Sequence, residues 1–214
     1  MVNEEKYREI ISELTPQNVT LVAVSKLKSV ADIQKLYNLG HRDFGENYVQ
    51  ELLEKQPLLP ADIRWHFIGH LQSNKVKYIA PFIYLIQSTD SEKLLKEIDK
   101  QAAKNQRKIN CLLQVHIADE QTKFGFDEND LDQLTNQPFN HLAIQGLMGM
   151  ATFTDIREKQ IAEFTKLHSM YETFKTKDAP TFNTLSMGMS DDYKTAVACG
   201  SNMVRIGSLL FGRR

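Results

Sequence analysis

The stretch "LVAVSK", residues 21–26, carries an apolar run into a serine and a lysine. An amine at such a place can be a solvated strand cap, a phosphate ligand or, with its pKa depressed by burial, the nucleophile that condenses with an aldehyde. The flanking residues do not separate these, and on "VSK" alone a solvated rim lysine is the simplest account of Lys26. Far along the chain, "SMGMSDD" (186–192) and "RIGSLLFG" (205–212) are short glycine-containing turns. Such turns present backbone N–H groups and a serine hydroxyl to a phosphate. Gly188 and Gly207 can each be no more than a tight-turn glycine; their pairing in consecutive β-like runs gives the anion reading its weight. Arg205 lies inside the last run, where a guanidinium must find a buried partner or face a ligand.

A scaffold is needed that brings position 26 to positions 186–208. Eight β-like runs are legible, at 19–24, 42–45, 64–69, 82–87, 111–117, 141–148, 182–187 and 203–207. Helical patterns lie between them: Val30, Ile33, Leu36 and Tyr37; Val49, Leu52 and Leu53; Leu94, Leu95, Ile98 and Ala102; Ile161, Phe164, Leu167, Tyr171 and Phe174. Each set fills one face of a 3.6-period helix. Residues 3–14 read as an extra N-terminal amphipathic helix, and "STDSEK" and "SDDYKTA" supply capping side chains at two helix starts. Apolar strands alternating with helices imply parallel pairing covered by helices, and eight repeats favour a closed (β/α)8 TIM barrel over an open sheet. At 214 residues the chain sits near the short end for that fold, so short loops and a single domain over 1–214 are expected.

In a parallel barrel, function gathers at the carboxyl ends of the strands, and the loops after the seventh and eighth are a recurrent phosphate site. The first and eighth strands are neighbours, so Lys26 would face a ligand whose phosphate those loops hold. A phosphorylated aldehyde held at both ends is pyridoxal 5'-phosphate (PLP). Arg205 beside the pyridine nitrogen, always protonated, would donate a hydrogen bond and keep that nitrogen unprotonated, making the ring a weak electron sink. The plainer alternative pairs Arg205 with a carboxylate in the barrel wall.

Taken together, "LVAVSK", "FGENYVQE", "WHFIGHLQSNKVKYI", "GLMGMATF" and "LSMGMSDDYKTAVACGSNMVRIGSLLFG" resemble the pyridoxal phosphate homeostasis protein family, single-domain relatives of the alanine racemase barrel. The motifs run in order from Leu21 to Gly212. The resemblance implies a fold-type III barrel with PLP as an internal aldimine, a Schiff base, on Lys26. It implies phosphate contacts from Ser186, Gly207 and Ser208, and Arg205 near the pyridine nitrogen. It further places Asn47 and His66 along the cofactor pocket, with Met148 and Met187 on its walls.

Other chemistries fare worse. Lys and Arg number 26 against 27 acidic residues, so no global field favours nucleic acid or an anionic membrane. Cys111 and Cys199 lack CxxC spacing and read as buried small residues, the start resembles no signal peptide, and no run is long enough to span a bilayer. A cytoplasmic protein with reduced thiols is expected. His66 and His70 have an H-x-x-x-H spacing but no nearby carboxylate, so no metal site is expected. The reading is therefore a non-catalytic PLP carrier, a monomer that keeps the free aldehyde low and passes it to apoenzymes. The alternative is an amino-acid racemase of the alanine racemase type. Arg205 disfavours it, as does the expected lack of the C-terminal domain that supplies the racemases' second acid/base group.

Overall fold

A computed structural model describes residues 2–118, 125–127, 130–131, 134, 139–175 and 181–212. Eight strands, β1 (Thr20–Val24), β2 (Asp43–Glu46), β3 (Arg64–Phe67), β4 (Leu85–Thr89), β5 (Ile109–Gln114), β6 (Leu142–Met148), β7 (Thr184–Ser186) and β8 (Met203–Ile206), form a closed barrel in sequence order. All neighbours are parallel, and the barrel closes through β1 and β8, with Val22 opposite Arg205 and Ala23 opposite Ile206. The expected barrel with an extra N-terminal helix is what the chain forms.

Alternation along the strands separates two apolar layers. Val22, Leu85, Leu112, Met148 and Met203 fill the barrel interior. Ala23, Phe44, Phe67, Ile86, Leu113, Leu147, Leu185 and Ile206 face outward into the larger core shared with the helices. The N-terminal helix Glu4–Leu14 is capped by Asn3, whose side chain accepts from Lys6 N–H at 3.0 Å, and buries Tyr7, Ile10 and Leu14. It is tied to the chain's far end, since Asn3 N–H donates to the Leu210 carbonyl at 2.8 Å.

Several expectations shift in detail. The fourth strand begins at Leu85 rather than Phe82, because Phe82 and Ile83 donate to the Ile79 carbonyl and complete a turn. An apolar run alone cannot separate such a turn from a strand. The fifth strand runs over Ile109–Gln114, earlier than the apolar run at 111–117. Ile161 is exposed, whereas Phe164, Leu167, Tyr171 and Phe174 of the same helix, Arg157–Lys175, are buried. Asp192 does not cap the helix Tyr193–Ala198; its carboxylate turns back to accept from Met189 N–H at 2.5 Å. Burial pushes the Cys111 thiol up to about 12, which leaves it inert, while Cys199 is only half-buried.

Candidate functional site

Lys26 is half-buried and follows β1 in a tight turn whose next residue, Leu27, takes a left-handed conformation at φ 59°. Buried charges brace this turn from below. Ser25 Oγ donates to Glu46 Oε1 at 2.6 Å, and Lys55 Nζ donates to the same oxygen and to the Ser25 carbonyl, both at 2.8 Å. Lys55 also pairs with Glu51 Oε1 at 2.6 Å, and that oxygen accepts from Leu27 N–H at 2.5 Å. Glu46 is wholly buried at the end of β2; burial raises its pKa, opposed by Lys55 and Ser25.

Asn47 follows directly after Glu46. Its Oδ1 is buried and has no hydrogen-bond partner among the described residues, an expensive state for an amide oxygen unless a ligand supplies one. Gly69, just past β3, packs against the Asn47 backbone, and a Cβ there would lie 2.3 Å from the Asn47 carbonyl oxygen.

The ends of β7 and β8 form the opposite side. Gly188 has φ +97°, and a Cβ on it would meet Ala196 at 2.6 Å, so both backbone shape and space demand glycine. Ser190 Oγ accepts from Gly207 N–H at 3.2 Å, which joins the two glycine turns. Gly207 in turn lies beside β1, since a Cβ built on it would sit 3.3 Å from Val24 Cβ. The turn that carries Lys26 and the turn that carries Gly207 and Ser208 are therefore neighbours at the carboxyl rim.

Beneath the rim a chain of buried polar side chains crosses the barrel. Arg205 Nη1 donates to Ser186 Oγ at 2.6 Å and Nη2 to the Gly149 carbonyl at 3.0 Å. Ser186 Oγ donates to Gln87 Oε1 at 2.7 Å, and Gln87 Nε2 meets His66 Nδ1 at 3.0 Å. His66 Nε2 meets Asp43 Oδ1 at 3.0 Å, and Asp43 also pairs with Arg64. Both ends dictate the direction. A guanidinium can only donate and a carboxylate only accept, so the Ser186 proton points to Gln87 and the His66 proton sits on Nε2. Burial pushes the Asp43 carboxyl upward, but its bonds to Arg64 and His66 outweigh this and hold it well below the usual carboxylate range. Burial lowers Arg205 to about 10, opposed by Asp192, so it remains a cation at neutral pH.

The structure thus brings Lys26, Asn47, Gly207 and Ser208 to one rim, with Arg205 and Met148 in the interior below. Ser186 and His66 also lie in the interior, fully buried, but their polar atoms are engaged in the chain just described. Met187 departs from expectation: its side chain packs in the outer core with Leu185, because strand alternation turns position 187 away from the barrel axis. His70 Nδ1 accompanies Asp90 Oδ2 at 2.9 Å. Sequence reasoning passed over Ser190, Gln87, Glu51 and Lys55. Spacing carried a signal for three of them: Ser190 repeats the parity of positions 186 and 188, and Glu51 and Lys55 stand i,i+4 on one helix.

The alanine racemase N-terminal domain family matches residues 4–214. A pyridoxal phosphate homeostasis protein of Pasteurella multocida is 43% identical over 205 residues, 92% of this chain and 87% of that relative. The chain belongs to the pyridoxal phosphate homeostasis protein family. Two structures of another member, PipY of Synechococcus elongatus, superpose on it. The form without PLP has a TM-score of 0.89 at 36% identity, and the form with PLP bound has 0.87 at 35%; each covers 97% of this chain and 99% of PipY. Members of the family thus have this barrel, and at least one carries PLP. No helix among the described residues is long and apolar enough to cross a membrane.

Proposed function

We propose that this chain is a PLP-binding homeostasis protein: a single-domain monomer of the cytoplasm that holds the cofactor on Lys26 and yields it to apoenzymes. The observation that carries the reading is the meeting, on neighbouring strands, of the Lys26 turn, the joined glycine turns at Ser190 and Gly207, and the buried Arg205 cation. The residues suit PLP. Asn47 Oδ1 is buried without a partner among the described residues, Arg205 spends two of its N–H groups on Ser186 and Gly149, and a Cβ at Gly207 would crowd Val24 at 3.3 Å. When bound, PLP supplies an aldehyde carbon that an amine attacks with loss of water.

In this reading the Lys26 amine provides the covalent hold. Ser190 Oγ, the Ser208 hydroxyl and the backbone of the Gly207 turn would receive the phosphate. Arg205 would hold the ring nitrogen as a donor, and the chain through Ser186, Gln87 and His66 keeps its guanidinium in place. Asn47 would offer its oxygen to a donor on the ligand, and Met148 would supply an apolar wall from the barrel interior. An arginine that keeps the ring nitrogen unprotonated would leave the ring a weaker electron sink than a protonated pyridinium, so storage is favoured over turnover.

The test is an absorption spectrum of the purified protein with PLP before and after borohydride, followed by peptide mapping. The expected result is one reduced adduct, on Lys26. An adduct on another lysine overturns the assignment, and sustained exchange of an amino acid's α-proton in deuterated buffer favours the racemase alternative.

A further inference from the structure

Both peptide groups that flank the Lys26 Cα are held by one ion pair from a neighbouring helix. The Ser25 carbonyl belongs to the peptide before Lys26 and accepts from Lys55 Nζ at 2.8 Å. The Leu27 N–H belongs to the peptide after it and donates to Glu51 Oε1 at 2.5 Å. Lys55 and Glu51 bond to each other at 2.6 Å, one turn apart on the helix Val49–Lys55. Lys28 N–H also donates to the Ser25 carbonyl, at 3.0 Å, and closes the turn.

Leu27 makes the arrangement informative. It is 58% exposed, so its side chain has little packing to gain, yet it holds φ 59°, a region that branched residues avoid. The bond from its N–H to Glu51 is the favourable contact seen there. Lys55 and Glu46 are withdrawn from water at a cost that ion pairing alone does not recover well. Such a cost is consistent with a role in fixing geometry.

We propose that the Glu51–Lys55 pair is the positioning device for Lys26, fixing its backbone on both sides so that the amine reaches the aldehyde held at the Gly207 turn. The inference rests on Lys26 being the residue that takes PLP. Glu51 touches neither ligand nor reacting atoms in this scheme; it acts through the peptide of Leu27.

The experiment compares wild type, Glu51→Ala and Glu51→Gln. For each, the rate at which added PLP is captured is followed by absorbance, the borohydride-fixed adduct is mapped, and the urea midpoint is measured. A glutamine oxygen can still accept from both Leu27 N–H and Lys55, whereas alanine can accept from neither. The expected result is capture slowed at least tenfold in Glu51→Ala, with part of the adduct moving to other lysines, and a rate within threefold of wild type in Glu51→Gln. Glu51→Ala that is folded and captures PLP at Lys26 at the wild-type rate overturns the proposal, as does Glu51→Gln as slow as Glu51→Ala. Should Glu51→Ala not fold, Glu51→Asp keeps a carboxylate for Lys55 but is one methylene too short to hold the Leu27 N–H as well; wild-type capture by that variant also overturns it. Wild-type protein that forms no adduct at Lys26 is a different outcome, because it removes the PLP reading itself.

Discussion

Arg205 Nη1 donates to Ser186 Oγ at 2.6 Å, and both side chains are buried in the barrel. That contact assigns the two serines of "SMGMS" to different tasks. Ser186 Oγ is the link between Arg205 and Gln87, whereas Ser190 Oγ lies at the rim against Gly207 N–H. Ser186→Ala leaves a guanidinium N–H and an amide oxygen buried without partners, which costs about 2–3 kcal/mol of stability. Ser190→Ala removes a half-buried hydroxyl and is expected to change stability by less than about 0.5 kcal/mol while weakening PLP affinity by about tenfold. Urea unfolding and a PLP titration of the two variants check both expectations. A Ser186→Ala protein of wild-type stability would contradict the relay.

Lys55 is placed so that its loss exposes the repulsion between its neighbours. It bonds to Glu46 Oε1 at 2.8 Å and to Glu51 Oε1 at 2.6 Å, within a largely buried cluster. Lys55→Met leaves a wholly buried carboxylate uncompensated, which costs about 3–5 kcal/mol at neutral pH. The pH dependence of that loss has a definite sign. Burial already raises the pKa of Glu46, and Lys55 opposes it. Without Lys55 the folded state holds the Glu46 proton more tightly still. A group whose folded pKa lies above its unfolded value stabilises the fold below the unfolded pKa, and that contribution is lost as pH rises through the folded pKa. The deficit of Lys55→Met should therefore shrink as pH is lowered from 7 toward the ordinary carboxylate range, as read by urea midpoints across pH. A deficit that grows on acidification would contradict the assignment.

How far the sequence could foretell this arrangement depended on which physical signal each residue carries. Strand order and closure were legible because the apolar runs alternate with helical faces, and parallel pairing in sequence order follows from that. The places of Lys26, Asn47, Gly207 and Ser208 at the rim were legible because they follow strand ends, where a barrel keeps its chemistry. Met187 was misplaced because the motif was read as a block, without following the alternation that sends 186 inward and 187 outward. Gln87, and the burial of Lys55, were missed for another reason. A polar residue inside a strand or helix gives no local sign that it will be buried; only the distant partner, Ser186 for one and Glu46 for the other, accounts for its place.

Gly69 supports Asn47 by taking up almost no room. A Cβ at this position would lie 2.3 Å from the Asn47 carbonyl oxygen and 2.7 Å from its Cα, and neither atom can yield without moving the end of β2. Gly69→Ala should cost about 1–3 kcal/mol through overpacking and displace the buried Asn47 oxygen. Asn47→Ala should be tolerated in the unliganded protein, since its Oδ1 has no partner there to lose. Both variants should weaken PLP binding. The discriminating measurement is urea stability without PLP, which should fall for Gly69→Ala and hold for Asn47→Ala.

His41 sets an acid limit on the fold from the opposite end of the barrel. It is buried edge-on against Tyr7 and Phe44, with ring centroids at 5.5 and 5.1 Å, and its Nε2–H donates to the Asp43 carbonyl at 2.8 Å. Burial lowers its pKa from 6.5 to about 4, although the bond to the Asp43 carbonyl opposes the shift. Between those values the unfolded chain takes up a proton that the folded chain refuses, so stability falls as pH drops through the interval. A difference of 6.5 minus about 4, at 1.36 kcal/mol per unit, amounts to about 3 kcal/mol. Asp43 weakens the fold further only at more acidic pH, since its depressed pKa keeps it charged until well below the usual range. His41→Gln keeps an N–H donor but cannot titrate. Unfolding measured from pH 7.5 to 4.5 should therefore show a steeper loss in wild type than in His41→Gln, and equal slopes would mean that this histidine accepts its proton without leaving the fold.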